Sequence, residues 1–409
     1  MSDRWSKLGV EQGKENYLIM ARFPGAANYY LPIIHQLLRN DHVIYLASHG
    51  EAKNIFEREF PNQEKIDPEI KFLSWVLLST ANEQEVEWEL PQILTLISQK
   101  PKLRIAVGED IAGSTTSLLS RLQENKIEPD LILTTTHSQT ARYHTLFPAW
   151  KKTAFITVGQ PSFDALLHED TTQITHKVRE MLKIDDQAKV ILYIGFPTLA
   201  VPENIRGFNL ATLCDSWQTV KQLAIENPDQ KFVFINKPHP REDSLFWELP
   251  EVNNRQNLPS NLQIISLSKE QWENLSKQGI TTRALCAASD LVLNSNSTVG
   301  SEVTMAGTLN QKEIAVQVLP EDLEIKELMF SERTTQIIDV EATPVAESVV
   351  KLLSLLRETL FDVEAQLKIH QQQETYAKDF RFGDGATALT LAWIKVLETI
   401  WQKLHSPNL

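Results

Sequence analysis

The sequence predicts an α/β protein built from two successive parallel sheets. Three observations carry that expectation. Short apolar runs alternate with helical stretches along most of the chain, the runs fall into an early and a late set, and 409 residues exceed what one hydrophobic core comfortably holds. Strands separated by whole helices pair in parallel, because a crossover of that length carries the chain back to the same sheet edge.

The early set begins with Tyr17–Ala21, a Phe-Pro-Gly-Ala turn and a helical pattern over Asn28–Arg39. His42–Ala47 is the next strand candidate and a polar helix follows it. Ile70–Val76, Leu103–Val107, Leu131–Thr135 and Phe155–Val158 continue the series, with helices at Leu90–Gln99 and Ser114–Gln123 between them. A polar, helical stretch over His168–Gln187 then leads to the late set. That set comprises Lys189–Ile194, Lys231–Asn236, Leu262–Leu267, Asp290–Asn294 and Glu313–Val318. A helix over Thr212–Asn227 stops at an Asn-Pro pair, since proline lacks the amide that a continuing helix needs. Apolar residues recur at helical spacing over Ala346–Leu367 and Ala386–Leu404. The expected domains are 1–165, 166–375 and a terminal helical segment, 376–409, packing back toward the first.

Composition narrows the function classes. Hydrophobic residues make up 42% and charged residues 23% of the chain, as in ordinary globular proteins. A net charge of −13 argues against a general nucleic-acid binder, because a phosphate backbone rewards a basic face. Cys214 and Cys286 are too few for a disulfide framework and lack metal-ligand spacing, so neither zinc nor any other metal is expected. His35, His42, His137, His144 and His370 also lack such spacing, and no Asp-x-Asp triplet occurs. No apolar run is long enough to span a bilayer and the first residues lack a signal-peptide core, so a cytoplasmic protein is expected. Peripheral contact with a membrane-borne acceptor is compatible with this. No readable pattern sets the oligomeric state.

In open parallel sheets, ligands bind beyond the carboxyl ends of the strands, so chemistry is sought directly after the apolar runs. Lys237, Pro238, His239, Pro240 and Arg241 follow one strong strand. Two prolines stiffen the backbone around one imidazole, and the flanking cations suit a phosphate that His239 would serve as hydrogen-bond or proton donor. The alternative is a rigid surface loop. Ser295, Asn296, Ser297 and Thr298 follow another strand and open a helix that carries Glu302 in its first turn. Small hydroxyls and free amides there make a phosphate seat, with Glu302 in reach of ribose hydroxyls, or else a plain helix cap. Gly195 ends the strand Lys189–Ile194 and is placed to approach a phosphate. In the first half, Gly108, Glu109 and Asp110 put adjacent carboxylates at a strand end, Asp110 being the better general base. The turn Thr157–Asp164 reads as structural, aiming the exit from the first domain.

These motifs resemble the GT-B superfamily of glycosyltransferases and related nucleotide-sugar enzymes. Lys237–Pro240 is similar to the His-Pro element of bacterial sialyltransferases and of capsule or teichoic-acid transferases. Asn294–Thr298 resembles their donor-phosphate motif, and Glu109-Asp110 resembles the sialyltransferase carboxylate motif. Thr157–Asp164 looks like the Thr-Gly-Asn-Pro-x-x-Asp turn of non-hydrolysing UDP-N-acetylglucosamine 2-epimerases. The resemblance implies two Rossmann-like domains facing a central cleft, the first on the acceptor side and the second binding a nucleotide-sugar, with C-terminal helices returning toward the first domain. It further implies an inverting, metal-independent transfer from a CMP- or UDP-linked sugar to a glycan or other hydroxyl acceptor, in surface polysaccharide synthesis. Asp110 and His239 are then catalytic, and Lys237, Ser295, Ser297, Thr298, Glu302 and Gly195 bind the donor. The Gly expected after Asp110 is Ile111, and the epimerase pattern His-x-Glu-Ala-Gly is absent, which favours transfer over epimerisation. A 2-epimerase or hydrolase, and a non-catalytic nucleotide-sugar-binding protein, are the alternatives.

Overall fold

The computed structural model describes residues 16–22, 24–61, 73–79, 83–100, 103–108, 115–195, 207–237, 258–295, 297, 299–319, 341–378 and 385–405. The chain forms two compact units, Met1–Ala165 with Asp379–Leu409, and Leu166–Lys378.

The first unit holds strands β1 (Asn16–Ala21), β2 (Val43–Ser48), β3 (Trp75–Ser79), β4 (Arg104–Gly108), β5 (Leu131–Thr134) and β6 (Ala154–Thr157). They pair in parallel in the order β2-β1-β3-β4-β5-β6. Its helices are α1 (Pro24–Arg39), α2 (Gly50–Glu59), α3 (Glu83–Gln99), α4 (Thr115–Glu124) and α5 (His137–Leu146). Both sheet faces are buried, so the strands read as continuous apolar runs rather than alternating ones. Along β1, Tyr17, Ile19 and Ala21 join the core under α1 and α2, whereas Leu18 and Met20 join the core under α3 and α4. The third strand lies further along than the expected 70–76. Its pairing of Tyr17 with Trp75 and of Ser79 with Gly108 draws Leu77, Leu78 and Ser79 into the sheet.

The second unit repeats the scheme with β7 (Lys189–Ile194), β8 (Phe232–Lys237), β9 (Leu262–Ser266), β10 (Leu291–Asn294), β11 (Ala315–Val318) and the two-residue β12 (Val345–Ala346). Their order is β12-β11-β10-β7-β8-β9, again parallel throughout. Its helices are α6 (Thr171–Leu182), α7 (Gly207–Glu226), α8 (Lys269–Lys277), α9 (Thr282–Ala287), α10 (Val299–Asn310), α11 (Val349–Phe361) and α12 (Val363–Ala377). One face packs Trp217, Val220 and Leu223 of α7 with Leu352, Leu355 and Leu356 of α11. The other packs Val178 of α6 with Ala284, Leu285 and Cys286 of α9 and Val303 of α10. The single helix expected over 346–367 is broken at Asp362. That residue is extended (φ −104°, ψ 109°) and its carboxylate accepts the amides of Glu364 and Ala365, so it ends α11 and caps α12.

The last helix, α13 (Ala386–His405), belongs to the first unit. Ile394 sits in the core beneath α1, with Leu389, Leu391, Trp393 and Leu397 packed against it. The Glu398 carboxylate accepts from the Tyr17 hydroxyl at 2.7 Å and from Trp75 Nε1 at 3.0 Å. At the start of α13 the Asp164 carboxylate accepts the Ala386 and Thr387 amides at 2.8 and 2.7 Å. Gly385 stands beside it at φ +81°, a left-handed conformation that favours glycine. Asp164 is thus a long-range helix cap, worth about 1 kcal/mol by analogy with local caps. The structural role expected for the 157–164 turn is met by this contact.

Candidate functional site

The carboxyl edge of the second sheet concentrates the chemistry. Register places Gln317, Asn294, Ile194 and Lys237 in one row across β11, β10, β7 and β8. Neighbouring strands lie roughly 4.8 Å apart, so Asn294 and Lys237, two strands apart, are separated by about 10 Å at the backbone. Side chains in one row of a parallel sheet share a face. Gly195 directly follows the row between them.

Lys237 is almost fully buried, at 4% exposure. Its Nζ lies 4.6 Å from the centre of the Trp272 ring on α8, a cation–π contact. Desolvation pushes its ammonium down to about 8, with the nearby Cys286 sulfur opposing the shift. The side chain is therefore mostly protonated at pH 7. Burial in turn pushes the Cys286 thiol well up, so it stays neutral.

The turn after β10 is tied down from within. Asn294 Oδ1 accepts the Ser297 amide at 3.2 Å, and Nδ2 donates to the Ser297 carbonyl at 3.0 Å and to Gln317 Oε1 at 2.8 Å. Gly300, in the first turn of α10, lets that helix approach, since a Cβ there would stand 2.6 Å from Asn294 Nδ2. Ser295 is fully buried, and its hydroxyl lies 3.2 Å from that of Thr212 on α7, which in turn meets the Tyr193 hydroxyl at 2.8 Å. Its side chain therefore anchors the turn to α7. Ser297 is half-buried and its hydroxyl accepts the Val299 amide at 3.4 Å, a long capping contact. Of the two roles expected for this serine, the contact to Val299 is the capping one.

Glu302 sits one turn into α10, partly buried, and makes no hydrogen bond or ion pair among the described residues. Desolvation pushes its carboxyl up to about 7, opposed by Arg283 and reinforced by Glu313 and Glu169. Arg283 itself is clamped. It donates to Glu169 at 2.7 and 2.9 Å and to both carboxylate oxygens of Glu313. Burial disfavours the guanidinium, but Glu313 and Glu169 outweigh that and keep it charged.

One consequence is measurable. The folded state holds the Glu302 proton more tightly than the unfolded chain, so stability falls as pH rises from about 4.5 to about 7 and is flat beyond. Glu302→Gln is expected to flatten that slope in urea-unfolding titrations and to exceed the wild type in stability above pH 7. Equal slopes for the two proteins would exclude this.

Asp110, His239 and Thr298 lie outside the described residues, as do Glu109 and Asn296. Sequence reasoning missed Trp272, the Asn294–Gln317 pair and the Arg283 clamp. Arg283 had one visible signal, a lone cation directly before the apolar stretch Ala284–Ala288. Among the described residues no group of three His, Cys, Asp or Glu side chains is placed to hold a metal ion, and no helix is long and apolar enough to cross a membrane.

Comparison with known proteins adds three findings. Residues 103–258 match the family described as CDP-glycerol:poly(glycerophosphate) glycerophosphotransferase, a stretch that takes in both Asp110 and His239. No curated protein sequence matches the chain. Among solved structures, MnaA of S. aureus with UDP is similar at 11% identity and TM-score 0.56, covering 94% of this chain and 97% of its own. The wall teichoic acid polymerase TagF is similar at 12% identity and TM-score 0.55, covering 96% and 90%. HepE of Anabaena with UDP-glucose is similar at 13% identity and TM-score 0.52, covering 94% and 99%. At these identities the likeness establishes the fold alone, an α/β fold shared with these proteins.

Proposed function

We propose that the chain is a glycosyltransferase-type enzyme moving a sugar from a CMP- or UDP-linked donor to a hydroxyl acceptor in surface glycan synthesis, with inversion and without a metal. The observation that carries this reading is that Lys237 ends one strand of a sheet while Ser297 and Glu302 follow another at the same edge, the Glu302 carboxylate making no hydrogen bond or ion pair among the described residues. A buried cation, a hydroxyl at a helix start and an acceptor for ribose hydroxyls suit a nucleoside phosphate.

In the proposed step the Asp110 carboxylate takes the proton of the acceptor hydroxyl as its oxygen attacks the anomeric carbon. The bond from that carbon to the phosphate oxygen breaks, and the electron pair leaves with the nucleotide. His239 donates to the departing oxygen, and the hydroxyls of Ser297 and Thr298 stabilise its charge. Ionised Glu302 accepts the ribose hydroxyls, so donor affinity is expected to rise as pH passes through about 7.

A second reading is favoured by the matched glycerophosphotransferase stretch. There the donor is nucleotide-linked glycerol phosphate, the acceptor oxygen attacks phosphorus, and a nucleoside monophosphate leaves. The same side chains serve both. An epimerase or hydrolase would consume donor without acceptor, and a non-catalytic binding protein would consume none.

The test is a thermal-shift panel of CMP, CDP, UDP and GDP, followed by the conjugates of the best ligand with and without hydroxyl acceptors. Asp110→Ala and His239→Ala are expected to lower transfer at least 100-fold, the low end of what acid–base groups contribute. Full transfer by both variants would sink the mechanism.

A further inference from the structure

Arg283 and Lys237 are cations set into the same face of the second unit, and their surroundings differ in kind. Arg283 is gripped by the carboxylates of Glu169 and Glu313, which together more than offset its charge. Lys237, at 4% exposure, has the Trp272 ring beside it, with Nζ 4.6 Å from the ring centre. An aromatic face attracts a cation through its quadrupole and carries no net charge. A carboxylate in the place of that ring would add a full negative charge and oppose an incoming phosphate. The ring stabilises the ammonium without that opposition.

The local sequence puts the indole there. Val233 and Ile235 of β8 enter the same core as Trp272 and Leu275 of α8, and Lys237 follows on that face of the strand. α8 has no fully buried residue, so its half-buried Trp272 and Leu275 make its contact with that core. Its start is fixed by a reciprocal cap. The Gln271 amide donates to the Ser268 hydroxyl at 3.2 Å, and the Ser268 amide donates to Gln271 Oε1 at 2.9 Å. Trp272 comes next, its own amide donating to the Ser268 carbonyl at 2.9 Å. The position of the indole is thus set in the first turn. Because burial brings the Lys237 ammonium down to about 8, a contact that favours only the charged form helps to keep its proton in place.

We propose that Trp272 is a positioning residue of the donor site, whose ring keeps the Lys237 ammonium charged and in place and so strengthens binding of a nucleotide's phosphates but not of its nucleoside. The proposal rests on the donor-site reading above, in which Lys237 supplies positive charge. Trp272 acts through Lys237 and need not touch the ligand.

The experiment is calorimetric titration of the full chain with UDP and CDP, and with uridine and cytidine. The proteins compared are the wild type, Trp272→Leu, Trp272→Phe, Lys237→Met and the double variant Lys237→Met with Trp272→Leu. For whichever nucleotide the wild type binds, Trp272→Leu is expected to lose about fivefold or more in affinity, the scale of a cation–π contact shielded from water. Trp272→Phe keeps a ring and should lose about twofold. Beside Lys237→Met, the Trp272→Leu change should cost nothing further, and the matching nucleoside should bind all five proteins equally. Trp272→Met carries the test if Trp272→Leu does not fold. Unchanged nucleotide affinity in Trp272→Leu, a loss in Trp272→Phe as large as in Trp272→Leu, an equal loss for the nucleoside, or a loss that persists beside Lys237→Met would each overturn the proposal while leaving the donor site standing. A wild type that binds UDP and CDP no better than the nucleosides, or a Lys237→Met variant that binds them as tightly as the wild type, removes the reading of Lys237 as the donor-site cation, and the proposal with it.

Discussion

Gly307→Ala is expected to lower the melting temperature of the second unit by about 6–12 °C. A Cβ at Gly307 would stand 2.2 Å from the Glu313 carbonyl oxygen and 2.5 Å from Gln373 Oε1. The first contact is with backbone and cannot be relieved by a rotamer change. The second is with a fully buried side chain that already donates to the Glu313 carbonyl at 3.1 Å and meets His370 Nδ1 at 2.7 Å. Accommodating the methyl therefore means moving α10 away from α12. Overpacking against backbone costs about 3 kcal/mol, the upper end of its usual range, and each kcal/mol shifts the midpoint by roughly 2–4 °C in domains of 150–250 residues. Differential scanning calorimetry would check this, and a shift under 2 °C would show that α10 is free to slide. Because α10 begins at the Ser297 turn, the same variant should weaken nucleotide binding.

Arg283→Met is expected to destabilise the chain by about 3–5 kcal/mol in urea, since it strands the buried Glu313 carboxylate and the partly buried Glu169. Losing the guanidinium also removes the one cation opposing the rise at Glu302, so the Glu302 midpoint should climb above 7. Replacing Arg283 and Glu313 together, as Arg283→Met with Glu313→Leu, should recover much of the stability, because the penalty lies in the unpaired charge. If the double variant is no more stable than the single, the clamp acts through shape rather than charge.

Much of the fold is legible in the sequence because both sheets are covered on two faces. Such strands must be apolar throughout, and Lys189–Ile194 or Leu291–Asn294 announces itself by composition alone. Elements built by capping rather than by apolar periodicity are harder to read. α5 starts at a Thr136–Gln139 capping box and α8 at Ser268–Gln271, and both carry mostly polar faces. The break at Asp362 interrupts an apolar pattern that continues across it, so periodicity alone joins the two helices.

At the site, residue types were visible but their directions were not. Ser295 and Ser297 look alike in the sequence, yet the first points toward Thr212 and the second is half-buried at the start of α10. Asn294 reads as one more small polar residue until Gln317, contributed by the next strand, gives its amide a direction. Glu169, Arg283 and Glu313 are more than 100 and then 30 residues apart, so no local pattern could have joined them. The environment that displaces Lys237 and Glu302 from their usual titration ranges is likewise a tertiary product.

The helix α13 imposes an order of assembly. Its residues are translated only after the whole second unit, yet Ile394 and Glu398 complete the core under β1 and α1. During synthesis the second unit can finish folding while that apolar face of the first still waits for its cover. Contacts spanning nearly the length of the chain, such as Tyr17 with Glu398, are the kind that slow folding and lengthen exposure to aggregation. The unit that holds β1 thus starts before the second unit in the chain and is completed after it.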